Sequence, residues 1–241
     1  MRQLDIIVPC YNPLPNWAET IIVYLNNLKK LLSFTELHLY LVNDGSSQGI
    51  NSSDLALLKA SLDNFTYISL PKNMGKGYAL RKGVELANHD FFIYTDVDFP
   101  YLEESFIQVY NALLEDKNDV VVGIRDENYY LEMTGFRAVL SKLLKLINNK
   151  LFQLPINDTQ CGIKGFNRNG RDIFLKTVIP RYLFDLEYIF LATHGSNIKL
   201  TSVPVKLRAG VTFRKFDLKI LFTEGSSFIK FVISSFLQRS K

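Results

Sequence analysis

Cysteine is scarce in this chain: Cys10 and Cys161 are the only two among 241 residues. Two cysteines do not build a disulfide framework, so the expectation is a reducing compartment. Long apolar runs are missing too. The first, residues 4–8, is too short for a signal-peptide core and leads into polar residues. No stretch reaches the roughly 18 apolar residues of a spanning helix, so a cytoplasmic protein is expected. Charge of one sign is also in short supply. A net charge of +4 suits anionic substrates or an anionic membrane surface but is too small to argue for nucleic acid. No RNP-like, zinc-finger or basic-region pattern supports a nucleic-acid partner either. There is no internal repeat, low-complexity tract or linker. The three histidines, His38, His89 and His194, lack metal-ligand spacing and are read as structural. Cys161 reads as a small buried residue rather than a nucleophile.

Apolar residues, by contrast, make up 47% of the chain, with 18 Phe and 12 Tyr, enough for a large core plus a sticky surface. Short β-branched or aromatic runs, at 4–8, 37–42, 67–70, 91–95, 120–122, 162–166 and 198–205, alternate with helical patterns. The helical patterns cover 17–32, 53–63, 76–86, 102–114, 136–152 and 184–193. This alternation predicts an α/β fold with right-handed crossovers and a mostly parallel sheet. In such sheets ligands sit beyond the carboxyl ends of the strands. Polar clusters follow the first five expected strands: Pro9-Cys10-Tyr11-Asn12-Pro13, Asn43-Asp44-Gly45-Ser46-Ser47, Lys72 to Gly77, Asp96-Val97-Asp98, and Gly123-Ile124-Arg125-Asp126. Any one of them reads as a turn. Their succession along one sheet edge reads as a site.

The sharpest signal is Asp96 and Asp98. An apolar run, Phe91 to Tyr94, ends in two carboxylates spaced i, i+2, which a strand presents on one side. Such a pair can share a hard divalent cation, Mg2+ or Mn2+, and a cation there can grip a diphosphate.

Together, Val8-Pro9-Cys10-Tyr11-Asn12, Asn43-Asp44-Gly45-Ser46, Asn73 to Gly77 and Asp96-Val97-Asp98 resemble the inverting family-2 nucleotide-sugar glycosyltransferases of the GT-A fold. Asp158 to Phe166 (DTQCGIKGF) is similar to a segment of dolichyl-phosphate β-glucosyltransferases and polyprenyl-phosphate sugar synthases, and Phe184-Asp185-Leu186-Glu187 resembles the helix that follows it. The resemblance implies a Rossmann-like central sheet flanked by helices. It assigns nucleotide binding to Asp44, with Pro9, Tyr11 and Asn12 as the floor under the nucleotide. The loop with Asn73 and Lys76 would lie against the nucleotide; it opens a helix, where free N–H groups and a lysine favour anions. The resemblance further assigns Asp96 to the ribose and the metal shell and Asp98 to the metal. Pro100 stands where some relatives carry Gln or Asn, a departure that leaves the rest of the metal shell open.

For the acceptor side the resemblance implies that Arg125 and Arg137, with Ser141 four residues on, hold a lipid phosphate, for which a guanidinium fork is suited. Gln160 would contact the sugar. Asp158 and Asp185 would line the sugar or acceptor side. One of them would serve as general base if the acceptor were a hydroxyl; a lipid phosphate is already an anionic nucleophile and needs none. Asp185 and Glu187 can equally fix a Lys or Arg side chain or cap a helix. The expected activity is transfer of a hexose, with UDP-glucose the favoured donor, to a polyprenyl or dolichyl phosphate at the cytoplasmic membrane face. GDP-mannose and UDP-N-acetylglucosamine remain open as donors. A family-2 transferase adding sugar to a saccharide hydroxyl, and a nucleotide-sugar-binding partner without turnover, are the alternatives.

Two amphipathic segments bear on the membrane. Phe136, Val139, Leu140, Leu143, Leu144, Ile147 and Leu151 form one stripe, with Arg137, Lys142, Lys145 and Lys150 nearby. In the tail, Phe228, Ile229, Val232, Ile233, Phe236 and Leu237 form another, with Lys230, Arg239 and Lys241 as cations. Either can lie in a membrane interface, pack in the core or form a dimer contact. The expected organisation is a catalytic domain over 1–210 and a membrane-proximal or dimerisation segment over 211–241.

Overall fold

A strand covered on both faces needs an almost unbroken apolar run, and the start of the chain supplies one. In the computed structural model Leu4, Asp5, Ile6, Ile7 and Val8 are all fully buried. The structure describes residues 2–125, 154–156, 158–194 and 197–210, with 230, 231 and 233. In chain order the elements are β1 (Arg2–Cys10), α1 (Trp17–Leu31), β2 (Thr35–Asn43), α2 (Ser52–Ser61), β3 (Phe65–Ser69), α3 (Lys76–Leu86), β4 (Phe91–Tyr94) and α4 (Glu103–Leu114). There follow β5 (Val120–Arg125), β6 (Lys164–Asn167), α5 (Arg168–Phe174), α6 (Phe184–His194) and β7 (Leu200–Val205).

The sheet runs β3-β2-β1-β4-β6-β5-β7. All neighbours are parallel except β6, which is antiparallel to both β4 and β5. Two cores follow from strand alternation. Leu4, Ile6, Val8, Leu39, Leu41 and Ile93 pack with α1 and α4 on one face. Ile7, Tyr40, Val42, Phe92 and Tyr94 pack with α3 and α6 on the other. Phe92, Phe166 and Phe174 stack at centroid distances of 5.3–5.4 Å, and Tyr188 meets Phe174 edge-on at 5.0 Å.

The expected α/β class and mostly parallel sheet are what the chain forms. Two details differ. The sixth strand starts at Lys164, not Gly162, because the preceding residues are committed to the site below. Helix α5 is unforeseen: Asn167 accepts from the Gly170 N–H (3.1 Å) as a helix N-cap. The expected helix over 136–152, with its apolar stripe, lies outside the described residues, as does nearly all of 211–241. Of that tail, Phe231 is buried edge-on against Phe190 at 5.3 Å, whereas Ile233 is exposed. Among the described residues no helix is long and apolar enough to cross a membrane.

Candidate active site

Strands β1 to β5 all point their carboxyl ends to one sheet edge, and the loops there are tied to each other by side chains. Asn12 (φ 46°) accepts from the Ser47 and Gln48 N–H groups (2.9 and 3.2 Å), and its own N–H donates to Ser46 Oγ (2.9 Å). Asn43 accepts from the Ser46 N–H at 2.8 Å. Gly45 sits at φ 66° with Lys72 and Asn73 backbone packed where a side chain would stand, so only glycine fits. Asp44 accepts from Asn73 Nδ2 (3.0 Å) and from the Met74 and Gly75 N–H groups (2.7 and 2.9 Å). Burial raises its carboxyl above the usual range, and the two N–H bonds oppose that rise. Asp44, expected to contact the nucleotide, therefore shapes the 73–75 loop. Tyr11 is 42% exposed beside it, a ring surface at the mouth of the edge.

The turn after β4 presents Asp96 and Asp98. The Phe99 N–H donates to the Asp96 carbonyl (3.0 Å) and Phe99 takes a φ of 43°, uncommon for an aromatic residue. Its ring is held in the core, 4.6 Å from Tyr24, which keeps the strained turn in place. Lys76, at the start of α3, places Nζ 2.6 Å from Asp96 Oδ1. Burial would lower the Lys76 pKa, but the Asp96 and Asp185 carboxylates outweigh it and hold the ammonium above the usual lysine range. At Asp98 desolvation by the surrounding protein, then the Asp96 charge, push the carboxyl upward. Arg208 donates to the Asp98 carbonyl (2.5 Å) and lies over the Tyr24 ring, with its Nε buried and unbonded among the described residues.

The DTQCG segment closes the edge from the β6 side. A Cβ on Gly162 would overlap Asp96 Oδ2, so the absence of a side chain there is what lets the carboxylate sit where it does. Tyr101 Oη accepts the Gly162 N–H at 2.8 Å and lies 3.3 Å from Cys161 Sγ. Cys161 is fully buried, as expected, and burial raises its thiol pKa. Asp158 is gripped by the Arg125 fork, with Oδ2 to Nε at 2.8 Å and Oδ1 to Nη2 at 2.6 Å, and also accepts the Arg125 N–H (3.1 Å). Asp185 accepts from Tyr94 Oη and from Lys164 Nζ, each at 2.5 Å; Lys164 is fully buried and also donates to the Cys161 carbonyl at 2.7 Å. Glu187 accepts from the Val178 and Ile179 N–H groups at 2.8–3.0 Å. Gln160 Nε2 is buried with no hydrogen-bond partner among the described residues.

The structure thus gathers Pro9, Tyr11, Asn12, Asp44, Asn73, Lys76, Asp96, Asp98, Asp158, Gln160 and Asp185 along the edge expected of them. Arg125 ends β5 and turns onto Asp158. Arg137 and Ser141 lie outside the described residues. Sequence reasoning missed Tyr94, Tyr101, Gly162, Lys164 and Arg208. Lys164 was legible only as one more cation, since nothing local marks a lysine as buried, while Gly162 stood inside a quoted motif without a reason.

The family model described as glycosyl transferase family 2 matches residues 5–174. A dolichyl-phosphate beta-glucosyltransferase of Dictyostelium discoideum is 30% identical over 215 residues, covering 84% of this chain and 65% of the relative. The Homo sapiens protein of the same name is 28% identical over 207 residues, covering 79% and 63%. The chain thus spans just under two thirds of the length of these relatives. Among solved structures, mannosyl-3-phosphoglycerate synthase from Rubrobacter xylanophilus aligns with a TM-score of 0.69 at 14% identity, covering 99% of this chain and 75% of that one. Glucosyl-3-phosphoglycerate synthase from Mycobacterium tuberculosis, solved with Mn2+, uridine diphosphate and phosphoglyceric acid, aligns with a TM-score of 0.65 at 14% identity, covering 97% and 78%. At that identity these two speak for the GT-A fold.

Proposed function

Since the chain belongs to glycosyl transferase family 2, we propose that it transfers glucose from UDP-glucose, with inversion, to a polyprenyl or dolichyl phosphate. The observation that carries the choice of acceptor is the state of the two carboxylates that could have served as base. Asp158 is held by the Arg125 fork, and Asp185 by Lys164 and Tyr94. A hydroxyl acceptor needs a carboxylate free to take its proton. An anionic phosphate oxygen attacks the anomeric carbon without one. The names of the relatives, dolichyl-phosphate beta-glucosyltransferases, support the same acceptor and sugar.

Asp96 and Asp98 would hold Mg2+ or Mn2+. Their fit to a cation rests on the donor set, two carboxylates on one turn, and on Lys76, whose ammonium already lies against Asp96 as a stand-in positive charge. When bound, such a cation offsets the charge of the departing nucleoside diphosphate. The chain's own groups do the rest. Asp44 and Asn73 hold the loop under the base, and the Tyr11 ring offers a stacking face. Lys76 can swing from Asp96 to a phosphate oxygen, and Gln160 Nε2, unbonded among the described residues, is a ready donor for a sugar hydroxyl. Asp158 and Asp185 act by holding Arg125 and Lys164 in place at the reaction edge. The proposed location is the cytoplasmic membrane face, reached peripherally through the amphipathic segments at 136–152 and 226–241.

The test is nucleotide release by purified protein from a panel of nucleotide-sugars, with short-chain polyprenyl phosphate and Mg2+ or Mn2+, with and without EDTA. Metal-dependent release from UDP-glucose only when the lipid phosphate is present is the expected result. Stimulation by a saccharide and none by the lipid would sink the phosphate-acceptor reading.

A further inference from the structure

At the opposite edge of the sheet, where the parallel strands begin, three side chains separated in sequence come together. The β1–β2 register pairs Asp5 with His38, which sets both on the same face. The turn before β4 adds His89, because Leu4 pairs with Phe91 just beyond it. One ligand atom from each of Asp5, His38 and His89 lies within 4.8 Å of the others. We propose that these three residues form a second metal site, selective for a borderline transition metal of the zinc type.

Burial and bonding are the grounds. Asp5 is fully buried, and only one of its carboxylate oxygens is hydrogen-bonded: Oδ2 accepts the His89 N–H at 3.0 Å. Its Oδ1 lies 2.7 Å from His89 Nδ1, an ion pair when the imidazole is protonated, although both atoms are buried and neither makes an aligned hydrogen bond among the described residues. With the imidazole neutral, a buried carboxylate oxygen and a buried ring nitrogen aim their lone pairs at each other, and a shared cation satisfies both. Ligands of a tetrahedral zinc stand roughly 3.3 Å apart, so the pair opens by about half an ångström to admit the ion. The His38 ring is already oriented, stacked on Tyr40 (4.3 Å between centroids) with Nε2 2.9 Å from Thr66 Oγ1. Glu36, held by Gln3 and Asn64, adds negative charge at the rim.

Two imidazoles and a carboxylate select zinc-type ions, whereas the all-oxygen pair Asp96 and Asp98 selects Mg2+ or Mn2+. The sites are also apart in space. Asp5 pairs with Phe92, and Asp96 is four residues further, about 13 Å along the strand direction. A metal here would clamp β1, β2 and the α3–β4 turn, so its readout is stability rather than turnover.

The test is titration of EDTA-stripped protein with Co2+ and Zn2+, followed by the Co2+ visible spectrum, calorimetry and thermal unfolding. In an Asp98→Asn background, which removes the carboxylate pair of the candidate active site, the protein should bind one equivalent and gain melting temperature with Zn2+. His38→Ala and His89→Ala should weaken that binding at least tenfold. His38→Asn, which preserves polarity at the half-exposed position, keeps the test open if either alanine variant fails to fold. Failure of Asp98→Asn to bind Co2+ or Zn2+, or binding in that background that survives loss of either histidine, overturns the site.

Discussion

Replacing Gly162 by Ala should cripple the reaction while leaving the fold nearly intact. The backbone of Gly162 lies outside the left-handed region, so alanine brings no backbone strain. Its methyl group would instead overlap Asp96 Oδ2 and stand 3.3 Å from both Asp96 Cγ and Tyr101 Oη. Restoring ordinary contact requires the Asp96 carboxylate to withdraw by about 1 Å. Asp96 is a partly exposed side chain at the end of a turn, so the movement costs little stability, a few degrees of melting temperature at most. The same 1 Å moves one of the two carboxylates proposed to hold the cation and breaks its alignment with Lys76. Displacements of this size at a reacting centre cost on the order of 100-fold in rate, or about 2.7 kcal/mol of transition-state stabilisation. Turnover of UDP-glucose with polyprenyl phosphate and calorimetric binding of Mn2+ with UDP should both fall, with thermal unfolding as the control. If the harm passes through Asp96, Gly162→Ala adds nothing further in an Asp96→Ala background. Wild-type turnover in the single variant, or full additivity in the double variant, would refute the reasoning.

Asp98→Asn should reduce turnover by at least 100-fold with an unchanged circular dichroism spectrum, and EDTA should reproduce the loss in wild type reversibly. Lys164→Met leaves the buried Asp185 charge without its cation and should destabilise the protein by about 3–5 kcal/mol in urea unfolding, with Lys164→Met/Asp185→Asn recovering part of the loss. Asp119 gives a pH prediction. Burial pushes its carboxyl up, but hydrogen bonds from the Lys199 N–H, Asn167 and Asn169 outweigh that and hold it below its usual value. A lowered folded-state value means its stabilisation is present above the unfolded carboxylate pKa and is lost as pH falls through the folded one. Asp119→Asn should therefore lower stability at neutral pH and flatten the acid limb of the stability curve; an unchanged limb in acid titration would count against it.

The alternation of short apolar runs with helical patterns determined most of the fold by itself, because parallel strands covered on both faces leave a local signature in composition. The candidate edge was legible for the same reason: turn residues and carboxylates cluster where strands end, which marks Asp44, Asn73, Lys76, Asp96 and Asp98 as candidates. Helix α5 escaped because its cap and its turn use the same residues, Asn and Gly, and only packing of Phe174 against Phe166 and Tyr188 decides between them. What each carboxylate does was decided by tertiary structure alone. Asp158 and Asp185 look alike as candidate bases, and their commitment to Arg125 and Lys164 depends on partners 33 and 21 residues away. The space at Gly162 is taken up by the Asp96 carboxylate, a side chain from another strand end. His38, His89 and Asp5 meet only because strand register, which no local pattern encodes, sets them side by side.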